Sequence, residues 1–191
     1  GAYGVELKDV FESAEVLDAG SGEIKTFSNN DCRFGYRDSV FKTDKGRNLI
    51  ILKVNLKLPK SRESDISYPD LTKIFEGKKP SVSEVRNALI QIRRDKLPYS
   101  GEVGSVGSFF KNPVIPETQF KNLTLNHSDL KGFSLDNGLV KLSAGQLIEK
   151  CGWKGKTYGS VGVSEKHSLV PINYGKGTAE EIIVLAEDIK T

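Results

Sequence analysis

Apolar and polar positions alternate along the first third of the chain, the period of strands with one face turned inward. The run "SAEVLDAGSGEIKTF" (13–27) places two alternating stretches around Asp18-Ala19-Gly20-Ser21-Gly22, which predicts a hairpin. "NLIILKVNLKLP" predicts a half-buried strand with Leu52, Val54, Leu56 and Leu58 inward, stopped by Pro59. Residues 60–79 are polar and loop-like, with Pro69 and Gly77 as breakers. In "PSVSEVRNALIQIRR" the period changes to that of a helix. Val82, Val85, Leu89 and Ile92 share a stripe behind a Ser81/Glu84 capping box. Leu97-Pro98 ends that element, and a domain boundary is placed there.

The second half mixes helix and strand. Ser143 is positioned to cap a helix running through Cys151 and closed by Gly152. "HSLVPIN" reads as a short buried strand, and its proline assigns it to a sheet edge. Thr178 and Glu181 form another capping box, opening a helix that turns Ile182, Leu185, Ala186 and Ile189 inward. The pattern predicts a mixed α+β chain with domains at 1–98 and 99–191. "GSVG" occurs at 104–107 and again at 159–162, too short a match to establish duplication.

Composition narrows the classes. The 191 residues are 37% hydrophobic and 28% charged, with a net charge of +3 and no dense basic stripe, which argues against a nucleic-acid binder. Cys32 and Cys151 show no metal spacing and read as free thiols. His127 and His167 stand far apart, which argues against a zinc site or a histidine-based triad. No apolar run approaches the roughly 18 residues that span a bilayer. The chain starts at Gly1 and holds no methionine, so it is expected to be processed or cut from a longer parent.

"GWKGKTYG" (152–159) contains the Gly-Lys-Thr tail of a phosphate loop. Lys150 stands where that loop needs its first glycine, and a helix precedes it where a strand is required. "GEVGSVGSFFKNPVIPE" (101–117) places three glycines just ahead of Ser108. An extended Ser108–Asn112 would present Ser108, Phe110 and Asn112 on one face, a hydroxyl and an amide around an aromatic wall. Two readings stand: a strand start with local hydrogen bonds, or a site that orients a polar substrate and moves a proton. In "FGYRDSVFK", Arg37 beside Tyr36 either pairs with Asp38 in solvent or clamps an anion through its planar donor fork. Lys96 and Tyr68 likewise read as exposed loop residues or as ligand contacts.

Seven segments in order carry a resemblance: "GAYGVELKDV", "CRFGYRDSVFK", "ISYPDLTKIF", "RRDKLP", "GSFFKNPVI", "VKLSAGQLIEKCGWKG" and "LVPINYG". Together they resemble the bacterial UDP-N-acetylenolpyruvoylglucosamine reductase family, in the form that closes a tyrosine loop over its substrate. The resemblance implies the later part of an FAD-binding domain followed by a smaller α+β substrate-binding domain. It also implies a cytoplasmic, monomeric flavoenzyme of peptidoglycan synthesis, serving cell-wall biogenesis, cell shape and division. There NADPH reduces FAD, and a hydride passes to the enolpyruvyl C3 of UDP-N-acetylglucosamine enolpyruvate before C2 is protonated.

In that resemblance Ser108 matches the proton donor and Arg37 the catalytic arginine. Tyr36, Tyr68, Lys96, Asn112 and Lys154 match substrate positions, while Gly1 and Ala2 match a segment along the flavin. The family's N-terminal flavin-binding region and its catalytic glutamate near the C terminus have no counterpart here. The chain alone is therefore expected to lack activity. Gln146 stands where the family commonly has tryptophan, and His167 where a substrate-facing glutamine is often found. The rival readings are a nucleotide-sugar binding module without redox chemistry and, last, a small nucleic-acid binder.

Overall fold

In the computed structural model, which describes residues 3–60, 63–97 and 103–191, helices are mixed with antiparallel sheets. Two compact units are distinguished, Gly1–Leu89 and Ile90–Thr191.

The first unit holds β1 (Phe11–Asp18), β2 (Ile24–Ser28), the short helix α1 (Asn29–Cys32) and β3 (Leu49–Leu56). The strands form one antiparallel sheet in the order β2-β1-β3. The predicted hairpin is present, closing with Leu17 opposite Ile24. Its turn is shaped by Asp18, whose Oδ1 accepts from the Gly20 N–H at 2.9 Å, an aspartate side chain mimicking a backbone turn. The core beneath the sheet is Phe11, Ala14, Val16 and Cys32, with Phe27, Phe34, Phe41 and Leu49 packed around it.

β3 departs from the expectation. Two register shifts interrupt its pairing with β1: Glu12 is the extra residue on β1, and Leu52 is the extra residue on β3. Such a bulge resets the alternation. Val54 and Leu56 therefore share their face with Ile51, opposite Ala14, Phe11 and Val16, and Leu52 leaves the series. Nor is that stripe buried: Leu52 is 50% exposed, Val54 43% and Leu56 48%. β3 is the sheet's edge, and its apolar side chains extend beyond the core on β1.

Residues 60–79 also contain a helix, α2 (Pro69–Ile74). Pro69 is its first residue, where a missing N–H costs nothing and the fixed φ suits a helix, so this proline starts an element. Leu71 anchors it in the interior. α3 (Val82–Lys96) follows behind the expected cap, in which Glu84 Oε2 accepts from the Ser81 N–H at 2.8 Å. Val85 and Ile92 are buried, whereas Val82 is solvent-exposed in the first turn.

In the second unit, β5 (Val114–Pro116), α4 (Glu117–Asn126), β6 (Gly132–Leu135), β7 (Leu139–Leu142) and α5 (Ala144–Lys150) surround a sheet ordered β5-β7-β6. A second sheet, ordered β4-β10-β9-β8, comprises β4 (Gly104–Ser105), β8 (Thr157–Tyr158), β9 (Val161–Val163) and β10 (Pro171–Asn173). α6 (Ala179–Lys190) covers it, with Ile182 and Leu185 packed on Val161, Val163 and Ile148. The Thr178/Glu181 box and the Ser143 cap are both formed. β10 is not an edge strand. It lies between β4 and β9, because Pro171 occupies the first strand position and its carbonyl still accepts from the Val106 N–H.

Leu185 is fully buried, so Leu185→Ala is expected to cost about 2–5 kcal/mol and to lower the urea midpoint. Ile183→Ala, two residues earlier and on the exposed face, is expected to stay within about 0.5 kcal/mol. Equal losses in equilibrium unfolding would contradict this packing of α6.

Candidate functional site

The Tyr36–Arg37 site begins where α1 ends. Arg33 follows it in a left-handed conformation at φ +47°, and Phe34 then turns inward to meet Phe11 edge to face, centroids 5.1 Å apart. Next, Gly35 and Asp38 pair as an isolated antiparallel bridge, with Gly35 N–H donating to the Asp38 carbonyl at 2.9 Å. Tyr36 and Arg37 are the two-residue tip of this turn. Arg37 has φ +50°, the left-handed region that costs a non-glycine residue about 1–2 kcal/mol. Retained strain of this kind clusters at functional positions.

The side-chain ammonium of Lys42 donates to the Arg37 carbonyl at 2.8 Å, fixing the turn from behind. Asp38 directs Oδ1 to the Ser39 N–H at 2.9 Å. The turn borders a cavity of about 490 Å³ lined by Gly4, Val5, Phe34, Tyr36, Arg37 and Lys42 among others. Tyr68 approaches it indirectly. It is the N-cap residue of α2, half-buried, and its ring meets that of Tyr3 edge to face at 4.9 Å. The expectation of an exposed loop tyrosine is thereby corrected.

In the second unit, the glycines ahead of Ser108 do different things. Gly104 sits in β4, where an added Cβ would lie 3.2 Å from the Asn173 Cβ, and Gly107 adopts φ +67°. Gly101 lies outside the described residues. Ser108–Asn112 does not form a strand. The chain bends at Ser108 and again at Phe110, so Phe110 packs into the core while Ser108 stays on the surface. The expected shared face of Ser108, Phe110 and Asn112 is absent for that reason. A backbone bond from Phe109 N–H to the Leu169 carbonyl, at 2.8 Å, ties the Ser108 loop to the 164–170 loop.

Asn112 serves the fold: its Oδ1 accepts from the Ala144 N–H at 3.0 Å, at the start of α5. It also lines a second cavity, about 720 Å³, with Gln146, Lys154, Lys166 and His167. Lys154 pairs with Glu149 at 2.8 Å and Lys150 with Asp129 at 2.6 Å. The hydrogen bond from Lys150 holds the Asp129 carboxyl below its ordinary range. Lys96, in the last turn of α3, is half-buried and acts on the same region. Burial, then Lys96 and, further down, Lys154, push the His167 imidazole below its ordinary value, against a smaller opposing effect from its backbone hydrogen bond.

The structure thus brings Asn112 and Lys154 to one cavity with His167, and Tyr36 and Arg37 to another. Ser108 precedes Phe109, whose backbone bond to Leu169 ties its loop to the wall of the first of these. Gly1 and Ala2 lie outside the described residues. Gln146 is a bridge as well as a cavity residue: its Oε1 accepts from Lys131 N–H and its Nε2 donates to the Asp129 carbonyl, both at 2.8 Å. Lys131, Lys150 and Lys166 were not singled out from the sequence, and lysine is too common on surfaces to signal a site.

Residues 98–191 match the family described as UDP-N-acetylenolpyruvoylglucosamine reductase, C-terminal domain. Over the whole chain, proteins named UDP-N-acetylenolpyruvoylglucosamine reductase are 43% identical in Pseudomonas savastanoi and 39% identical in Flavobacterium johnsoniae. Over residues 98–191 the chain carries the C-terminal domain of this reductase family. It spans 57% and 58% of the length of those two relatives. A crystal structure of the Thermus caldophilus reductase (MurB) shares the fold, with a TM-score of 0.60 at 22% identity, covering all of this chain and 52% of that one.

Arg37→Gly tests whether the arginine is held for its side chain. Glycine adopts the turn conformation without penalty, so the variant is expected to unfold at an equal or higher denaturant concentration. Arg37→Ala keeps the strain and should gain nothing. A loss above about 1 kcal/mol in Arg37→Gly would show that the guanidinium holds the fold.

Proposed function

We propose that this chain supplies the substrate-facing residues of an FAD-dependent, NADPH-using reductase. The reaction converts UDP-N-acetylglucosamine enolpyruvate to UDP-N-acetylmuramate, in peptidoglycan synthesis in the cytoplasm. The observation that carries the reading is that proteins named for this reductase match the chain over its whole length. The strained Arg37 turn and the tethered Ser108 loop support it from the geometry.

The residues present fit part of a flavin site. The first unit's cavity is lined by Gly4, Val5 and Phe34 with the cations Lys8, Arg37 and Lys42 beside the acids Glu6 and Asp38, a net-basic wall suited to a planar, phosphate-bearing group. Gly1 and Ala2 keep the flavin-contacting role that the resemblance implies. FAD, when bound, supplies hydride transfer from NADPH to the enolpyruvyl C3. Arg37 binds the substrate carboxylate through its fork and stabilises negative charge as it develops there. Ser108 delivers its hydroxyl proton to C2 and recovers one from solvent. Lys96, Lys154 and Asn112 hold the diphosphate, while Tyr36 and Tyr68 pack against the nucleotide sugar.

Ser108→Ala separates these roles in a protein of the relatives' full length. Flavin reduction by NADPH is expected at the wild-type rate in stopped-flow absorbance. Reoxidation by the enolpyruvyl substrate should slow by about 10²–10⁴-fold. Equal loss in both half-reactions would remove Ser108 from the proton-donor role. Saturable binding of the nucleotide sugar with no flavin band and no turnover would favour the non-redox binding module.

A further inference from the structure

His167 is fixed in a small loop whose bonds determine where its proton sits. Ser164 N–H donates to the Val170 carbonyl and Val170 N–H to the His167 carbonyl, both at 2.9 Å. Within the loop, Ser164 Oγ accepts from the His167 N–H at 3.3 Å, and His167 Nδ1 accepts from the Leu169 N–H, also at 3.3 Å. A nitrogen that accepts a hydrogen bond carries no proton, so the neutral ring bears its hydrogen on Nε2.

The surroundings are cationic. Lys96, at the end of α3, and Lys154, after α5, both act electrostatically on His167. Lys166 lines the same cavity from the loop itself, while Glu165 packs over Gly155. Around the cavity four lysines (131, 150, 154, 166) face two carboxylates, Asp129 and Glu149, each already engaged by a lysine. Burial first, then Lys96 and more weakly Lys154, hold the ring's titration below its ordinary value.

An anion reverses the balance. We propose that His167 is a specificity-determining ligand of this cavity that takes up a second proton, at Nδ1, when a diphosphate diester binds. The inference rests on the substrate reading above, which places a nucleotide-sugar diphosphate beside Lys96 and Lys154. Protonation gives up one long hydrogen bond to Leu169 N–H. In exchange, Nε2–H becomes a charge-assisted donor to a phosphate oxygen, roughly twice as strong as its neutral form. Binding and proton uptake are then linked. Affinity is greatest below the free ring's titration point and falls as pH rises through that of the complex.

UDP-N-acetylglucosamine is the probe, because its diphosphate stays fully ionised across this range. The full chain is used with His127→Gln, which leaves His167 as the sole histidine. By NMR, the free His167 ring is expected to titrate below the ordinary 6.5. Saturating probe should raise that midpoint by about one unit, which corresponds to a tightening of Kd by about fivefold between pH 7.5 and 5.5 by calorimetry, with about tenfold as its limit. Adding His167→Gln should flatten that slope while retaining binding at pH 7.5. Saturable binding with an unmoved His167 midpoint overturns the inference and leaves the reductase reading intact. No binding of the probe overturns it as well, and the Ser108 half-reactions then decide the reductase reading separately.

Discussion

The hydrogen bond from Phe109 N–H to the Leu169 carbonyl governs the arrangement of the second unit's polar residues. β4 is only two residues long, so it cannot by itself orient the bend that follows. The extra bond carries the attachment past the end of the ladder. It holds Ser108 against the loop that presents His167, with Phe110, half-buried against the α6 core, as the anchor. A half-buried aromatic on one side and a backbone bond on the other leave Ser108 at the surface with its backbone fixed. That is the condition under which a serine can act at a defined point.

In the first unit the corresponding constraint is conformational. The two-residue tip between Gly35 and Asp38 requires a left-handed residue, and the sequence places arginine there. The energy stored in that turn is offset by the Phe34–Phe11 contact before it and the Lys42 bond behind it. Both devices work by the same physics. Neighbouring packing over-determines a local backbone state that the residue alone would not choose.

How much of this was legible in the sequence follows from the range of the interactions. Ser81/Glu84, Ser143 and Thr178/Glu181 caps form within three residues, and all were read correctly. The hairpin at Asp18 was legible for the same reason. What failed depended on partners far along the chain. The Leu52 bulge exists only in register with β1, and Pro171 became internal only because β4 arrives from 66 residues upstream, pairing Ser105 with Ile172 near it. At the sites, Arg37 and Asn112 stood out by residue type, but Asn112's bond to Ala144 spans 32 residues. Gln146's bridge to the 129–131 segment was equally invisible.

The lysine pairs around the second cavity bear on how an anion could be admitted. Lys154–Glu149 and Lys150–Asp129 are short, yet both carboxylates are more than half exposed. Pairs of that kind contribute only about 0–1 kcal/mol, because water competes for both charges. Their value is geometric: each acid restrains a long flexible cation near the cavity wall, reducing the rotamer freedom lost when a ligand arrives. A phosphate can then share or displace the carboxylate at small cost. His167 differs from these lysines because its charge is withheld by burial and by the nearby cations Lys96 and Lys154. The lysines supply attraction with or without a proton on the ring, whereas the histidine's contribution is present only when an anion has offset that field. A cavity that mixes fixed and conditional charge in this way binds anions generally, but gains a proton only with one that reaches the imidazole.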